Sequence, residues 1–193
     1  MNAKTLYTAV VLGLGVMLAA SQASAQGFYI GGSIGEGDAD DGNAIPALIT
    51  SGPVDGKDSG LKFLGGYQFG RNLAVEIAYV DLGKATYSGT FVGQPVTGGT
   101  VKTSGLNASA VGILPLNPSF SLFAKAGVFA WEAKARDVTG GVPFSGKDDG
   151  ADFSFGFGGA YNVTTNFSVR AEWELFEAVD SISLLSVGVA YKF

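Results

Sequence analysis

The 193-residue chain is 47% hydrophobic and 15% charged, with 30 glycines, 6 prolines, no cysteine, no histidine and a formal net charge of −5. At this length one compact domain is expected. The composition excludes disulfides, thiolate chemistry, cysteine-based metal sites and a lipid anchor on cysteine, and the shortage of basic residues argues against nucleic acid as a partner, because phosphates need a basic face.

The first element is a leader. Lys4 supplies a positive start, Leu6 to Ala20 form an apolar run, and Ala23-Ser24-Ala25 is a small-x-small cleavage site. This predicts a signal peptide over residues 1–25 and a mature chain from Gln26. The run is too short for a membrane helix, which needs ~20 apolar residues.

Beyond it the apolar residues fall on a period of two. Strands are expected near 27–37 and 60–69. In the third, Leu73, Val75, Ile77 and Tyr79 alternate with Ala74, Glu76, Ala78 and Val80. Two more are expected near 103–116 and 120–134, and a sixth where Phe153, Phe155, Phe157 and Tyr161 oppose Ser154, Gly156, Gly158 and Ala160. In the seventh, Phe167, Val169, Ala171, Trp173 and Leu175 oppose Ser168, Arg170, Glu172 and Glu174. The eighth sets Leu185, Val187, Val189, Tyr191 and Phe193 against Ser186, Gly188, Ala190 and Lys192. Such alternation is a two-faced strand.

Connection lengths separate a membrane barrel from a soluble sandwich. Gly70-Arg71-Asn72, Asn117-Pro118-Ser119 and Thr164-Thr165-Asn166 are tight turns, whereas 38–59, 85–100 and 137–150 read as long, polar loops. The last connection, near 177–183, is short. The expected fold is therefore all-β: an eight-stranded antiparallel up-and-down transmembrane β-barrel over residues 26–193, integral to the outer membrane, both termini periplasmic and the long loops extracellular. Closure satisfies every backbone donor and acceptor, as hydrocarbon requires.

In this register Gly31, Gly35, Gly66, Gly127, Gly156, Gly158 and Gly188 face a lumen with little room. A phosphate loop at Gly32-Ser33-Ile34-Gly35-Glu36-Gly37 lacks the helix that should follow it. Lys62, Glu76, Lys125, Arg170 and Glu172 form a candidate lumen charge cluster, with Lys192 also inward. Glu76 and Arg170 each lie four residues beyond a short turn on opposed strands, a candidate ion pair, and Lys125 with Glu172 is a candidate second layer. Phe123, Phe129 and Trp131 share the inward register. The set reads either as a plug or as a polar track for small solutes. Phe28, Tyr67, Phe69, Tyr79, Phe120, Tyr161, Trp173, Tyr191 and Phe193 suit interfacial girdles on the outer face.

The first loop is acidic, with Glu36, Asp38, Asp40, Asp41, Asp55 and Asp58 against Lys57. Asp38-x-Asp40-x-Gly42 matches only part of a calcium loop, the closing acid being absent, so a solvated loop is the better reading. Asn107, Asn162 and Asn166 begin Asn-x-Ser/Thr triplets, but they sit in strands or turns.

These residues together resemble the transmembrane barrel of outer membrane protein A and its small barrel-only relatives. The likeness rests on Gly66-Tyr67-Gln68, Glu76, Tyr79, Leu82-Gly83, Pro115, Gly127, Trp131, Tyr161, Arg170 and Glu172. The ending Ser186-x-Gly188-x-x-Tyr191-x-Phe193 resembles the family's assembly signal, which implies that Gly188, Tyr191 and Phe193 are read by the barrel-assembly machinery. The chain stops at Phe193, where the archetype continues into a peptidoglycan-binding domain, so wall anchoring is not expected. The family's lysine on the fourth strand and acid on the sixth are matched by Val111 and Ala160, so a gate that exchanges those partners is not expected either.

No histidine is available as a catalytic base, and the carboxylates cluster with cations rather than at the lipid-facing rim. A Ser-Lys or paired-carboxylate mechanism stays open in principle, but no enzyme activity, cofactor or metal is expected. The function expected is structural, with surface interactions through the loops. The alternative is a narrow channel for ions or small solutes. The partners expected are outer-membrane lipids and lipopolysaccharide, around a monomer.

Overall fold

A computed structural model describes residues 26–39, 49–50, 54–91, 94–139, 141–178 and 181–193. The expected signal peptide and much of the acidic first loop, including Asp40 and Asp41, lie outside the described residues. Eight long strands dominate: β1 (Gln26–Ala39), β2 (Lys57–Phe69), β3 (Leu73–Phe91), β4 (Gln94–Pro115), β5 (Phe120–Thr139), β6 (Val142–Asn162), β7 (Phe167–Glu177) and β8 (Ser181–Lys192). Each pairs antiparallel with its chain neighbours, and β1 pairs with β8 to close the ring. Two two-residue segments, Ile49–Thr50 and Val54–Asp55, add short ladders along β3.

The closure has a measurable stagger. Across β4 and β5, Asp81 leads through Ser104 and Glu132 to Asp149 on β6. The other way round, Asp81 leads through Leu61, Ile34, Val187 and Ala171 to Gly159. The register therefore closes ten residues out of step, from 149 to 159 on one strand. A stagger of this size tilts eight strands by ~40° from the barrel axis and leaves an interior that side chains can fill.

The short turns fall where the sequence places them, but two of the long loops do not. Residues 85–100 and 137–150 are mostly strand: β3 runs to Phe91 before β4 begins at Gln94, and β5 runs to Thr139 before β6 begins at Val142. Thr86, Tyr87, Thr90, Val96, Thr100 and Val101 supply the β-branched and aromatic content that a ladder favours. Gly83 and Gly98 take φ of +83° and +64° at the irregularities that interrupt pairing beside Asp81/Lys84 and Thr97/Thr100. There glycine absorbs a conformation that a side chain would resist.

On the outer face of β3 to β6 the ladder sets large apolar groups against small ones. Leu73, Gly112, Ala124 and Phe157 make one cross-strand row, then Val75, Ala110, Ala126 and Phe155, then Ile77, Ala108, Val128 and Phe153, then Tyr79, Leu106, Ala130 and Ala151. Most of the large residues here and on the remaining strands are exposed, among them Ile34, Phe63, Leu73, Phe153, Phe157 and Val187. This is the inverse of a water-soluble core and the expected dress of a lipid-facing wall. Tyr67 lies on the outer face expected of it, within an aromatic cluster. Its ring is buried on that face between Phe28 and Phe69, at centroid separations of 4.8 and 4.9 Å.

Candidate functional site: the lumen charge network

β3 and β7 stand four strands apart in either direction round the ring. Glu76 and Arg170, on their inward faces, therefore meet across the whole lumen: Arg170 Nη1 donates to Glu76 Oε1 at 2.7 Å. The Tyr29 hydroxyl donates to the same oxygen at 2.9 Å. Arg170 Nε stands 2.9 Å from Glu172 Oε1 but is not aligned to donate to it, so the contact is ionic. The guanidinium also lies 4.5 Å from the centroid of the Phe123 ring, in cation–π contact.

Beyond this layer Glu172 Oε2 accepts from Lys125 Nζ at 2.5 Å and from Lys62 Nζ at 2.6 Å. Glu174 shares both lysines: Lys125 Nζ is 2.8 Å from its Oε1, and Lys62 Nζ donates to its Oε2. Lys125 also reaches Glu76 Oε2 at 3.5 Å. Three cations thus face three carboxylates, every one of the six buried, and the lumen carries no net charge there. An isolated buried ion would be driven to neutralise, whereas a complete set of partners lets all six stay charged.

All five sequence candidates, Lys62, Glu76, Lys125, Arg170 and Glu172, are in this network. Glu174 belongs to it too, on the inward face of β7 that the alternation assigns it, although that alternation does not show its height relative to the two lysines. Tyr29 carries no charge to advertise it, and its ring occupies space left by Gly66, where a Cβ would stand 2.5 Å from its hydroxyl oxygen. Lys192 lies apart, donating to Gln68 Oε1 at 2.9 Å near the short-turn end. Val111 and Ala160 stay apolar beside Ala74 and Phe123.

Glycines set the clearance. A Cβ on Gly158 would stand 2.6 Å from Phe123 Cζ, and one on Gly156 would stand 2.7 Å from Glu174 Cγ. Past the network toward the long hairpins the lumen turns apolar: Leu64, Val80, Leu82, Phe129, Trp131, Phe176, Ile182 and Leu184 form one buried cluster. Phe129 and Phe176 pack at 4.8 Å between centroids and are 0% exposed. Ser154 donates to Asn107 Oδ1 at 2.7 Å beside them. On the other side of the network a cavity of about 630 Å³ opens at the short-turn end, lined by Gln68, Glu76, Phe123, Asn166, Arg170 and Lys192 among others.

Of the assembly-signal candidates, Tyr191 and Phe193 face outward, with ring centroids 5.2 Å apart. Gly188 faces inward against Ser33, its register partner on β1.

The sequence matches the OmpA-like transmembrane domain over residues 23–193. Similar solved structures include Ail, the attachment invasion locus protein of Yersinia pestis, at 18% identity, covering 87% of this chain and 97% of that one with a TM-score of 0.54. Neisserial surface protein A is 16% identical, with 86% and 97% covered and a TM-score of 0.55. The outer membrane protein OprG of Pseudomonas aeruginosa is 13% identical, with 88% and 96% covered and a TM-score of 0.58. At these identities the likeness is one of fold. No curated protein matches the chain.

Proposed function

Because the chain belongs to the OmpA-like transmembrane domain family and is therefore an integral outer-membrane β-barrel protein, we propose that it works as a closed scaffold whose role lies in envelope integrity and in what its outer hairpins and loops touch. Both termini and the short turns are periplasmic in this reading, and the long β3–β4 and β5–β6 hairpins stand outside the cell, as is usual for single-chain barrels. The barrel is a monomer surrounded by lipid and lipopolysaccharide, exported by the leader at residues 1–25 and assembled through its terminal Gly188, Tyr191 and Phe193.

The observation that carries the reading is the double obstruction of the lumen. A neutral six-residue ion network is followed by an apolar layer whose Phe129, Phe176 and Leu184 have no exposure. An ion crossing it would first break charge-assisted hydrogen bonds and then shed its water among hydrocarbon groups. The narrow channel is the second reading, favoured by the open cavity of about 630 Å³ that penetrates to Phe123. Single-channel recording of the refolded barrel in planar bilayers separates the two. The unaltered protein is expected to be silent, and Phe129→Ala with Phe176→Ala is expected to introduce conductance steps. A reproducible conductance in the unaltered protein, abolished by filling the lumen at Ala74 or Gly158, would establish the channel instead.

A further inference from the structure

The raised sheet formed by the outer parts of β3 to β6 carries an ordered charge pattern on its outer face. Directly beyond the last apolar row, Tyr79, Leu106, Ala130 and Ala151, comes a row of Asp81, Ser104, Glu132 and Asp149. The next row is Lys84, Lys102, Lys134 and Lys147, each opposite the next on adjacent strands. Arg136 follows one row further out, between Thr100 and Ser145. Five of the chain's 12 basic residues therefore stand on this one patch, on a protein whose net charge is −5.

Three Lys–Lys pairs in a line are an unfavourable way to build a sheet, since like charges directly opposite repel. The acidic row relieves part of this. Lys102 Nζ is 2.7 Å from Asp81 Oδ2, and Glu132 is shared by Lys134 at 2.6 Å and Lys147 at 2.5 Å. Hydrogen bonds from those two lysines hold the Glu132 carboxyl down at about 2. The relief is incomplete, because five cations face the three acids of that row and Asp58, whose Oδ2 accepts from the Lys84 backbone N–H at 2.9 Å, and all five cations remain exposed.

Position supplies the partner. The lysine row lies two rows past the apolar wall, four residues or ~13 Å along the strand. With strands tilted by ~40° it climbs only ~3 Å for each strand crossed. Lysine side chains there have the carboxylate row beneath them, between them and the apolar wall, and a headgroup layer within reach of their ammonium groups. A row of four evenly spaced cations, one per strand, matches an anionic layer carrying several phosphates better than it matches a single small anion.

We infer that the ladder Lys84–Lys102–Lys134–Lys147, with Arg136, is a docking strip for phosphate-bearing lipid headgroups of the leaflet that surrounds the long hairpins. The inference rests on the lipid-embedded barrel and on the orientation proposed above only for which leaflet is meant. It does not depend on whether the lumen conducts. The acidic row serves it by holding the ammonium groups along the rim.

The test uses the full barrel refolded into phosphatidylcholine nanodiscs containing a bisphosphorylated saccharolipid or the same lipid with its phosphates removed. Native mass spectrometry counts the lipids retained. The phosphorylated lipid is expected to be enriched about tenfold, as for a short polybasic strip at a membrane surface. The enrichment is expected to vanish in Lys84→Gln, Lys102→Gln, Lys134→Gln, Lys147→Gln and to survive when the same four positions become Arg. Should the Gln variant not fold, the unaltered protein decides alone: no enrichment, or enrichment that persists undiminished at high salt, overturns the strip. Binding of soluble dextran sulfate without any lipid preference would also overturn it. Failure of the unaltered chain to insert as a heat-modifiable barrel would instead count against the barrel.

Discussion

Glu76 and Arg170 show how a few residues decide whether a polar lumen is tolerable. Removing either leaves the network with one uncompensated charge, and breaking a buried pair from one side costs about 3–5 kcal/mol. Removing both restores the balance, because Lys62 and Lys125 then face Glu172 and Glu174 alone. Glu76→Met and Arg170→Met are therefore expected to destabilise singly, and the double variant to be more stable than either. Urea unfolding in lipid bilayers, followed by tryptophan fluorescence, measures all three. A double variant whose loss equals the sum of the singles would mean that the two residues do not act as a pair. This pair was legible in the sequence because each partner lies four residues beyond a turn and their strands oppose one another in an eight-membered ring. Glu174 was legible as to face but not as to height, since which inward residues share a level depends on the stagger of the closed barrel. Tyr29 was not legible, because its reach to Glu76 depends on the missing side chain at Gly66.

At the scale of elements, period-two alternation located all eight strands but underestimated four of them. Outside the lipid-facing wall the alternating pattern of apolar and polar residues lapses, and with it the signal that marks a strand. Threonine, valine and tyrosine continue the ladder on propensity and pairing alone. The consequence is an uneven rim. β6 pairs with β7 only from Ser154 onward, while β5 pairs with β6 up to Val142. Among the described residues 142–153 are therefore bonded along one edge only. In an antiparallel edge strand every second amide is donated to the neighbour and the others face water. Hydrogen exchange read residue by residue should show slow and fast amides alternating along 143–153, with protection on both strands of the β4–β5 ladder from Val101 to Ala135. Uniformly fast exchange through 137–150 would restore the long loop that the composition suggests.

The whole molecule binds these scales together through closure. The β1–β8 seam makes the stagger of ten, the stagger sets the height of each inward group, and the heights bring three cations to three carboxylates. Phe193 sits where that seam ends, yet the sheet depends on it little: the residue is 69% exposed on the lipid-facing side, its ring meets only that of its strand neighbour Tyr191 among the ring pairs described, and its backbone contributes one bond, N–H to Phe28 O at 3.0 Å. Loss of a single such bond is worth ~1 kcal/mol, small beside the burial and pairing of eight strands. If Phe193 matters through assembly, its effect must be kinetic and must require the cellular machinery. Deletion of Phe193 is thus expected to leave refolding into detergent micelles and the heat-modifiable gel shift nearly unchanged. In cells the same deletion should block accumulation in the outer membrane while export to the periplasm continues. Fractionation with protease challenge distinguishes these fates. Folded, outer-membrane material at normal levels would remove the assembly role from Phe193. Equal failure in micelles and in cells would instead make it a structural residue of the seam.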